Sequence, residues 1–338
     1  MGIPVWRVTA NEDRFKRCEV DSDQSIATDR RYNPSARKGT VNQFKRMGLV
    51  KILFTGSSGP KVASRVASAL SQSHDVIGID VAPSPTTSLI ADISRVSDWR
   101  ANLQGVEVVI HFAALHAPHR HTHSAGEFRR INVDATRSLL DAARDAGVKR
   151  FLLASSTSVY GKAMRSDATA VWVTEQLQPE AEDIYDETKL AAEQLCRDAF
   201  STSFNTAALR FSRSFPEPIP LMALYRLYRG VDARDVAQAF GLCLSVSLGK
   251  FEAINISGEP PFLESDCDLL FTDAEQVLRQ RAPGLVEEFS RRNWPLPTCI
   301  DRVYVIEKAK LLLGYKPNFG YRELLREPDV IDATDAKR

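Results

Sequence analysis

Tyr185 and Lys189 stand four residues apart in the stretch Tyr185-Asp186-Glu187-Thr188-Lys189. In a helix that spacing puts both side chains on one face, so a phenol and an ammonium can enter the same cleft. A phenol with its ordinary pKa of about 10 is a poor base at neutral pH, but positive charge beside it stabilises the phenolate. The expected roles are Tyr185 exchanging a proton with a substrate hydroxyl and Lys189 lowering its pKa. Upstream, Ser155-Ser156-Thr157-Ser158-Val159-Tyr160-Gly161 closes an apolar stretch. Ser156 is placed to hold the reacting oxygen by hydrogen bonding, with Thr157 beside it. A Tyr-x-x-x-Lys by itself is common on helix surfaces; its weight here comes from the order of the segments around it.

The earliest of those segments is Thr55-Gly56-Ser57-Ser58-Gly59-Pro60-Lys61-Val62, a glycine-bearing turn between an apolar strand and a helix. Free backbone N–H groups and the helix dipole can hold a pyrophosphate there, with Gly56, Ser58 and Gly59 as contacts. Val62 takes the third glycine position of G-x-x-G-x-x-G, which predicts slightly wider strand-to-helix packing; an ordinary tight turn is the other reading. Asp80 ends the second strand, where a carboxylate accepts hydrogen bonds from the adenosine ribose, or else caps a turn. Val81-Ala82-Pro83 offers no arginine for a 2′-phosphate, which favours NAD, with NADP left open. Asp92, Ile93, Phe112, Ala113 and Ala114 end further strands at the same ligand-binding edge. The combined chemistry is hydride transfer between a dinucleotide and a secondary alcohol.

Positioning these groups requires strands that alternate with helices. Strands are expected at 50–55, 75–81, 106–112, 150–154 and 206–211, and helices at 61–71, 125–146 and 183–200. The alternation predicts an α/β fold, a Rossmann-type doubly wound parallel sheet with a small C-terminal substrate-binding region. The expected divisions are a loose N-terminal extension over 1–46, a core over 47–215, a substrate-binding region over 216–325 and a polar tail over 326–338. Met47 precedes the first strand and is a possible alternative start. After Pro216, Pro218 and Pro220, the pattern predicts a helix from about Ala233, a strand at 253–257, and helices near 265–281 and 304–313.

Lys and Arg number 44 against 43 Asp and Glu, so there is no global field to hold nucleic acid or an anionic membrane. Five scattered cysteines without a C-x-x-C pair read as free thiols, and no apolar run of spanning length is present. A cytoplasmic enzyme is expected. His111, His116, His119, His121 and His123 lack the spacing of a known metal site and read as a polar loop with no metal.

On Thr55-Gly56 with Gly59, Asp80, Asp92, His111-Phe112-Ala113-Ala114, Asn132, Ser156, Val159-Tyr160-Gly161, Tyr185 with Lys189, Leu209-Arg210, Asp235-Val236-Ala237 and Leu313-Gly314-Tyr315-Lys316-Pro317, the chain resembles the extended short-chain dehydrogenase/reductases of the NAD-dependent epimerase/dehydratase family. The resemblance runs from about Val50 to Tyr321. It implies Ser156, Tyr185 and Lys189 as the catalytic trio, Asn132, Tyr185 and Lys189 among the cofactor contacts, and a homodimer built on the 125–146 and 183–200 helices. Thr157-Ser158 stands where family dehydratases carry an acidic pair, which disfavours dehydration. Arg213 stands where many epimerases carry Asn, facing a substrate anion or forming a structural ion pair. The short 216–231 connection resembles that of uronate dehydrogenases, whose arginine past the proline pair is unmatched; Arg226 and Arg229 lie further on, and Arg226 is the candidate substrate contact. The expected substrate is a sugar, sugar acid or sugar nucleotide, acted on by a dehydrogenase or an epimerase. The alternative is a non-catalytic dinucleotide-binding regulator on the same fold.

Overall fold

The computed structural model describes residues 48–326, so the expectations for 1–46, for Met47 and for all of the tail beyond Arg326 lie outside the described residues. Nine strands are formed there: β1 (Lys51–Thr55), β2 (Asp75–Asp80), β3 (Leu89–Ile90), β4 (Val108–His111), β5 (Arg150–Ser156), β6 (Val171–Val173), β7 (Asn205–Phe211), β8 (Glu252–Ile256) and β9 (Arg302–Tyr304). Seven of them make one sheet in the order β3-β2-β1-β4-β5-β7-β8, with every neighbouring pair parallel. This is the doubly wound sheet that the alternating pattern predicts. The order reverses between β1 and β4, and at such a switch point the carboxyl ends of the strands open a crevice.

Both faces of the sheet are buried, as parallel sheets require. Along β1, Ile52 and Phe54 point into one core with Val66 and Phe240, while Leu53 points into the other with Trp99, Leu139 and Phe151. Val62 is buried in the first of these cores, so its side chain fills the space that a third glycine would leave open. A third cluster, including Leu224, Leu270, Phe289 and Val303, forms the interior of the smaller C-terminal region.

Several element boundaries depart from the sequence reading. The expected 125–146 helix is three pieces: Ala125–Arg129, a π-turn over Arg130–Asp134, and Ala135–Asp145. The 265–281 helix is divided at Asp273, whose carboxylate accepts from Gln276 N–H to cap the second part. The 304–313 stretch is the end of β9 followed by a helix over Glu307–Leu313. Helices at Ile219–Tyr225 and Pro283–Arg291 were not expected, because a proline in the first turn reads as a breaker although it is well tolerated there. The short parallel pair of β6 with β9 joins segments too far apart in sequence to be matched by pattern.

Among the described residues, the outer edge of β8 has no strand beside it. Lys308 Nζ donates to the Ala253 carbonyl at 2.7 Å, and Glu175 Oε1 accepts from Asn255 N–H at 2.7 Å. No helix among the described residues is long and apolar enough to cross a membrane. Cys196, Cys243 and Cys267 are buried free thiols, whereas Cys299 is disulfide-bonded, a departure from the expectation of free thiols throughout.

Candidate active site

The turn after β1 is pressed against the end of β4. Gly56 has φ +76, and a Cβ there would lie 2.5 Å from Ala113 N and 2.7 Å from the Phe112 carbonyl carbon, so no other residue fits. Gly56 N–H donates to the Ile79 carbonyl at 2.8 Å, and Ser58 N–H donates to Asp80 Oδ2 at 2.9 Å. Asp80 Oδ1 also accepts from Ala82 N–H at 3.1 Å, so Asp80 caps the turn and still has lone pairs to offer outward. Lys61 and Val62 N–H meet no backbone acceptor among the described residues, which leaves them as the open donors ahead of the Ala63–Leu70 helix. Asp92 Oδ1 accepts from Ser94 N–H at 2.9 Å and from Ser94 Oγ at 2.8 Å. Burial pushes the Asp92 carboxyl up, but these bonds, with Arg130 and Arg95 nearby, hold it below the usual range. Ile93 is buried, and its carbonyl accepts from Trp99 Nε1. The Phe112 ring stacks on Phe54 with centroids 5.0 Å apart, leaving Ala113 and Ala114 to line the edge.

Beneath that edge lies a fully bonded polar hub. His111 is buried, with Nδ1 2.6 Å from Thr55 Oγ1 and Nε2 2.9 Å from Thr136 Oγ1. Burial, helped by the charge of Lys189, pushes its imidazole down to about 3, so it is neutral and structural. Asn132 sits in the π-turn and uses its amide twice over. Its Oδ1 accepts from Leu115 N–H at 2.7 Å, and its Nδ2 donates to the Leu115 carbonyl and to Thr188 Oγ1, both at 3.0 Å. The side chain expected to touch a cofactor is thus spent on tying the loop after β4 to the helix that bears Tyr185.

That helix runs from Ile184 to Ala199, and Asp183 caps it by accepting from Tyr185 N–H at 2.8 Å and Asp186 N–H at 3.0 Å. Tyr185 and Lys189 are both buried on its inner face, and Ser156 at the end of β5 is near enough to act on the phenol. Burial pushes the phenol well above its ordinary value; Ser156 pulls it down, while Asp186 and Asp183 push it further up. Burial dominates the phenol, and the ammonium is itself desolvated, pushed down to about 8 against the charge of Glu193. No hydrogen bond or ion pair holds Lys189 among the described residues. One turn further along, Glu193 accepts from Ser155 Oγ at 2.5 Å and from Arg210 Nε and Nη2 at 2.9 and 2.6 Å, a buried ion pair that locks β5, β7 and the helix together. Asp186 is buried with Oδ1 unpartnered. Burial pushes its carboxyl up to about 6, with Ser158 opposing.

The model of the NAD dependent epimerase/dehydratase family matches residues 52–216. A UDP-glucose 4-epimerase of Klebsiella pneumoniae is 30% identical over 129 residues, 33% of this chain and 93% of that protein. The chain belongs to this family. The uncharacterised UDP-glucose epimerase YtcB of Bacillus subtilis is 29% identical over 326 residues, covering 79% of this chain and 93% of YtcB. A 3-beta-hydroxysteroid dehydrogenase of Mycolicibacterium neoaurum is 30% identical over 162 residues; the match covers 44% of this chain and 43% of that protein's length. In fold, the chain resembles a short-chain dehydrogenase/reductase superfamily protein from Agrobacterium tumefaciens solved with bound NAD. That similarity has a TM-score of 0.61 at 23% identity and covers 85% of this chain and 97% of the other.

Against this family pattern, the acid positions after Ser156 are filled by buried Thr157 and by Ser158, which lies against Asp186. Arg213 resolves in favour of an ion pair: Nε donates to Glu217 Oε1 at 2.6 Å, and the guanidinium lies over the Phe215 and Tyr225 rings. Arg226 is also committed to the fold, to Asp232 Oδ2 at 2.8 Å and to the Phe319 carbonyl. Arg229, three residues on, lies over the face of the Tyr225 ring, 5.0 Å from its centre. Among the other histidines, His119 Nδ1 accepts from His116 N–H at 2.9 Å, and the His116 ring centre is 6.1 Å from that of Tyr185. An ion pair from Arg120 to Asp183 ties this loop to the cap of the Tyr185 helix.

Proposed function

We propose that the chain is an NAD-dependent enzyme that moves hydride at a secondary hydroxyl of a sugar-type substrate, and that its reaction is the epimerisation of a sugar nucleotide. The observation that carries this reading is the convergence of Ser156, Tyr185 and Lys189 at the carboxyl edge of a switch-point sheet. The fit to a dinucleotide rests on three features. Gly56 lets the turn after β1 close directly onto the end of β4, Asp80 retains acceptor capacity at the end of β2, and Lys189 is a buried ammonium with no hydrogen-bond partner among the described residues.

Gly56, Gly59 and the open N–H groups after them would hold the pyrophosphate, helped by Ser58, whose N–H is already given to Asp80. Asp80 would take the ribose hydroxyls, and Lys189 would donate to the second ribose. NAD, when bound, supplies a hydride acceptor and a positive ring. Ser156 holds the substrate oxygen, and Tyr185 takes its proton as the carbon is oxidised, then returns it on reduction. Asp92, Ile93, Phe112, Ala113 and Ala114 shape the wall, while Asn132 fixes the loop that carries it. Thr157 backs Ser156. Residues 216–325 act as the substrate-binding region.

Epimerisation has the support of the likeness to YtcB over nearly its whole length, and a dehydrogenase on a free sugar acid is the nearest neighbour in chemistry. The deciding assay incubates purified protein and NAD or NADP with panels of UDP-sugars, uronic acids and free sugars, following 340 nm absorbance and the sugar products. Interconversion of a UDP-sugar without net NADH is expected, and Tyr185→Phe should reduce it by about 10²- to 10⁴-fold. Net NADH from a uronic acid would make it a dehydrogenase. Tight NAD binding without turnover of any panel member would return the chain to the regulator reading.

A further inference from the structure

A cavity of about 260 Å³ lies against the outer border of β8, far above the ~15 Å³ that a single water requires. Its charged lining is Arg197, Arg210, Lys250 and Lys308 with Glu175 and Glu252. Ser156, Tyr185, Lys189 and the glycine turn take no part in it, so it is separate from the cofactor cleft.

The lining is richer in positive charge and in free donors than in acceptors. Arg210 is balanced from within the fold, since its Nε and Nη2 are given to Glu193 and its guanidinium lies over the Tyr160 ring, 4.9 Å from the centre. That leaves three cations against two carboxylates, and both carboxylates are already engaged. Glu252 takes Lys308 at 2.6 Å, with Lys250 further off at 3.8 Å. Glu175 Oε1 takes the Asn255 N–H, and burial pushes its carboxyl up although Lys308 and Arg210 oppose. Arg197 forms no ion pair with a carboxylate among the described residues; its guanidinium sits on the Phe251 ring, 4.6 Å from the centre. A guanidinium carries five N–H donors and an ammonium three, so Arg197 and Lys250 bring more donors to the cavity than its carboxylates can accept.

We propose that this cavity is a binding site for a small anion, a phosphate-bearing or polycarboxylate molecule, outside the cofactor cleft. Oxyanions match such a lining because each oxygen accepts charge-assisted bonds from guanidinium and ammonium groups, and the ligand's charge supplies what the carboxylates lack. A neutral molecule would leave the excess charge where it is. The site does not depend on which reaction the cleft performs. Its inner wall gives it a reach into the fold, because Arg210 holds Glu193 on the helix of Lys189 and also packs on Tyr160 in the turn after Ser156.

The test is calorimetric titration of the full chain with NAD at saturation, so that the cofactor cleft is filled. Inorganic phosphate and citrate serve as anionic probes, and glycerol as the neutral one. Wild type should bind at least one anion and not glycerol. Arg197→Glu combined with Lys250→Glu changes two exposed positions on the rim, and should weaken anion binding by about tenfold or more with NAD affinity unchanged. Glu193→Gln uncovers the charge of Arg210 and should tighten anion binding by roughly threefold or more. Should that buried variant fail to fold, the rim variant decides alone. Tighter binding of phosphate would assign the site to phosphate esters, and tighter binding of citrate to polycarboxylates. No anion binding by wild type, equal affinity in the rim variant, or weaker binding in a folded Glu193→Gln protein would overturn the proposal.

Discussion

The polar groups under the cofactor edge and those facing the substrate cleft are satisfied to opposite degrees. Around β1 and β4, His111 has a partner for each ring nitrogen, and Asn132 bonds through both ends of its amide. Across the sheet edge, no hydrogen bond holds Lys189 among the described residues, and Asp186 keeps a bare oxygen. The first region is a finished scaffold that needs nothing from outside. The second carries unmet bonding capacity, and a fold bears that cost only where a ligand relieves it.

Removing one partner from the satisfied side should have the largest effect. Glu193→Leu leaves the Arg210 guanidinium buried without its carboxylate, and should cost about 3–5 kcal/mol in urea unfolding. A loss under about 1 kcal/mol would mean that the two regions differ less than their bonding suggests.

His111 sharpens the contrast through pH. Its folded pKa lies far below its unfolded value, so the neutral ring's contribution is complete above about pH 6.5 and is lost as pH falls toward 3. The wild-type stability slope in that window should exceed that of His111→Gln by up to about 1.4 kcal/mol per pH unit. Parallel slopes would show that the ring does not resist protonation.

Asp186 belongs to the unsatisfied side, and the expected effect is kinetic. Its carboxyl, pushed up to about 6, is charged at neutral pH and disfavours the Tyr185 phenolate. Asp186→Asn should therefore shift the pH limb of the oxidative step downward by roughly half a unit to one unit, with the fold intact. An unmoved limb would remove Asp186 from the electrostatics of the site. The smallest effect belongs to the exposed Arg100 and Asp145 pair, where Arg100→Ala should change stability by less than about 1 kcal/mol.

Much of this contrast is invisible in sequence, and for a definite reason. Strand ends and the Tyr185 to Lys189 spacing are local, and the apolar runs at 50–55, 75–81 and 206–211 announce β1, β2 and β7 directly. That Tyr185 and Lys189 share one buried face was legible because helical periodicity alone puts them there. Whether a charge is paired is a tertiary property. Arg226 and Arg229 sit three residues apart, and only the approach of Asp232 and Phe319 pairs the first, while the second lies on the Tyr225 ring. The break at Asn132 was hidden likewise, since its amide is drawn to Leu115 and Thr188 by contacts across the fold.

The capped border of β8 has a consequence for how copies of the chain can meet. Lys308 takes the Ala253 carbonyl and Glu175 takes the Asn255 N–H, so along β8 a neighbouring molecule finds two of the backbone groups it would pair with already engaged. Strand addition along β8 is thereby disfavoured, which turns self-association toward helix faces and loops.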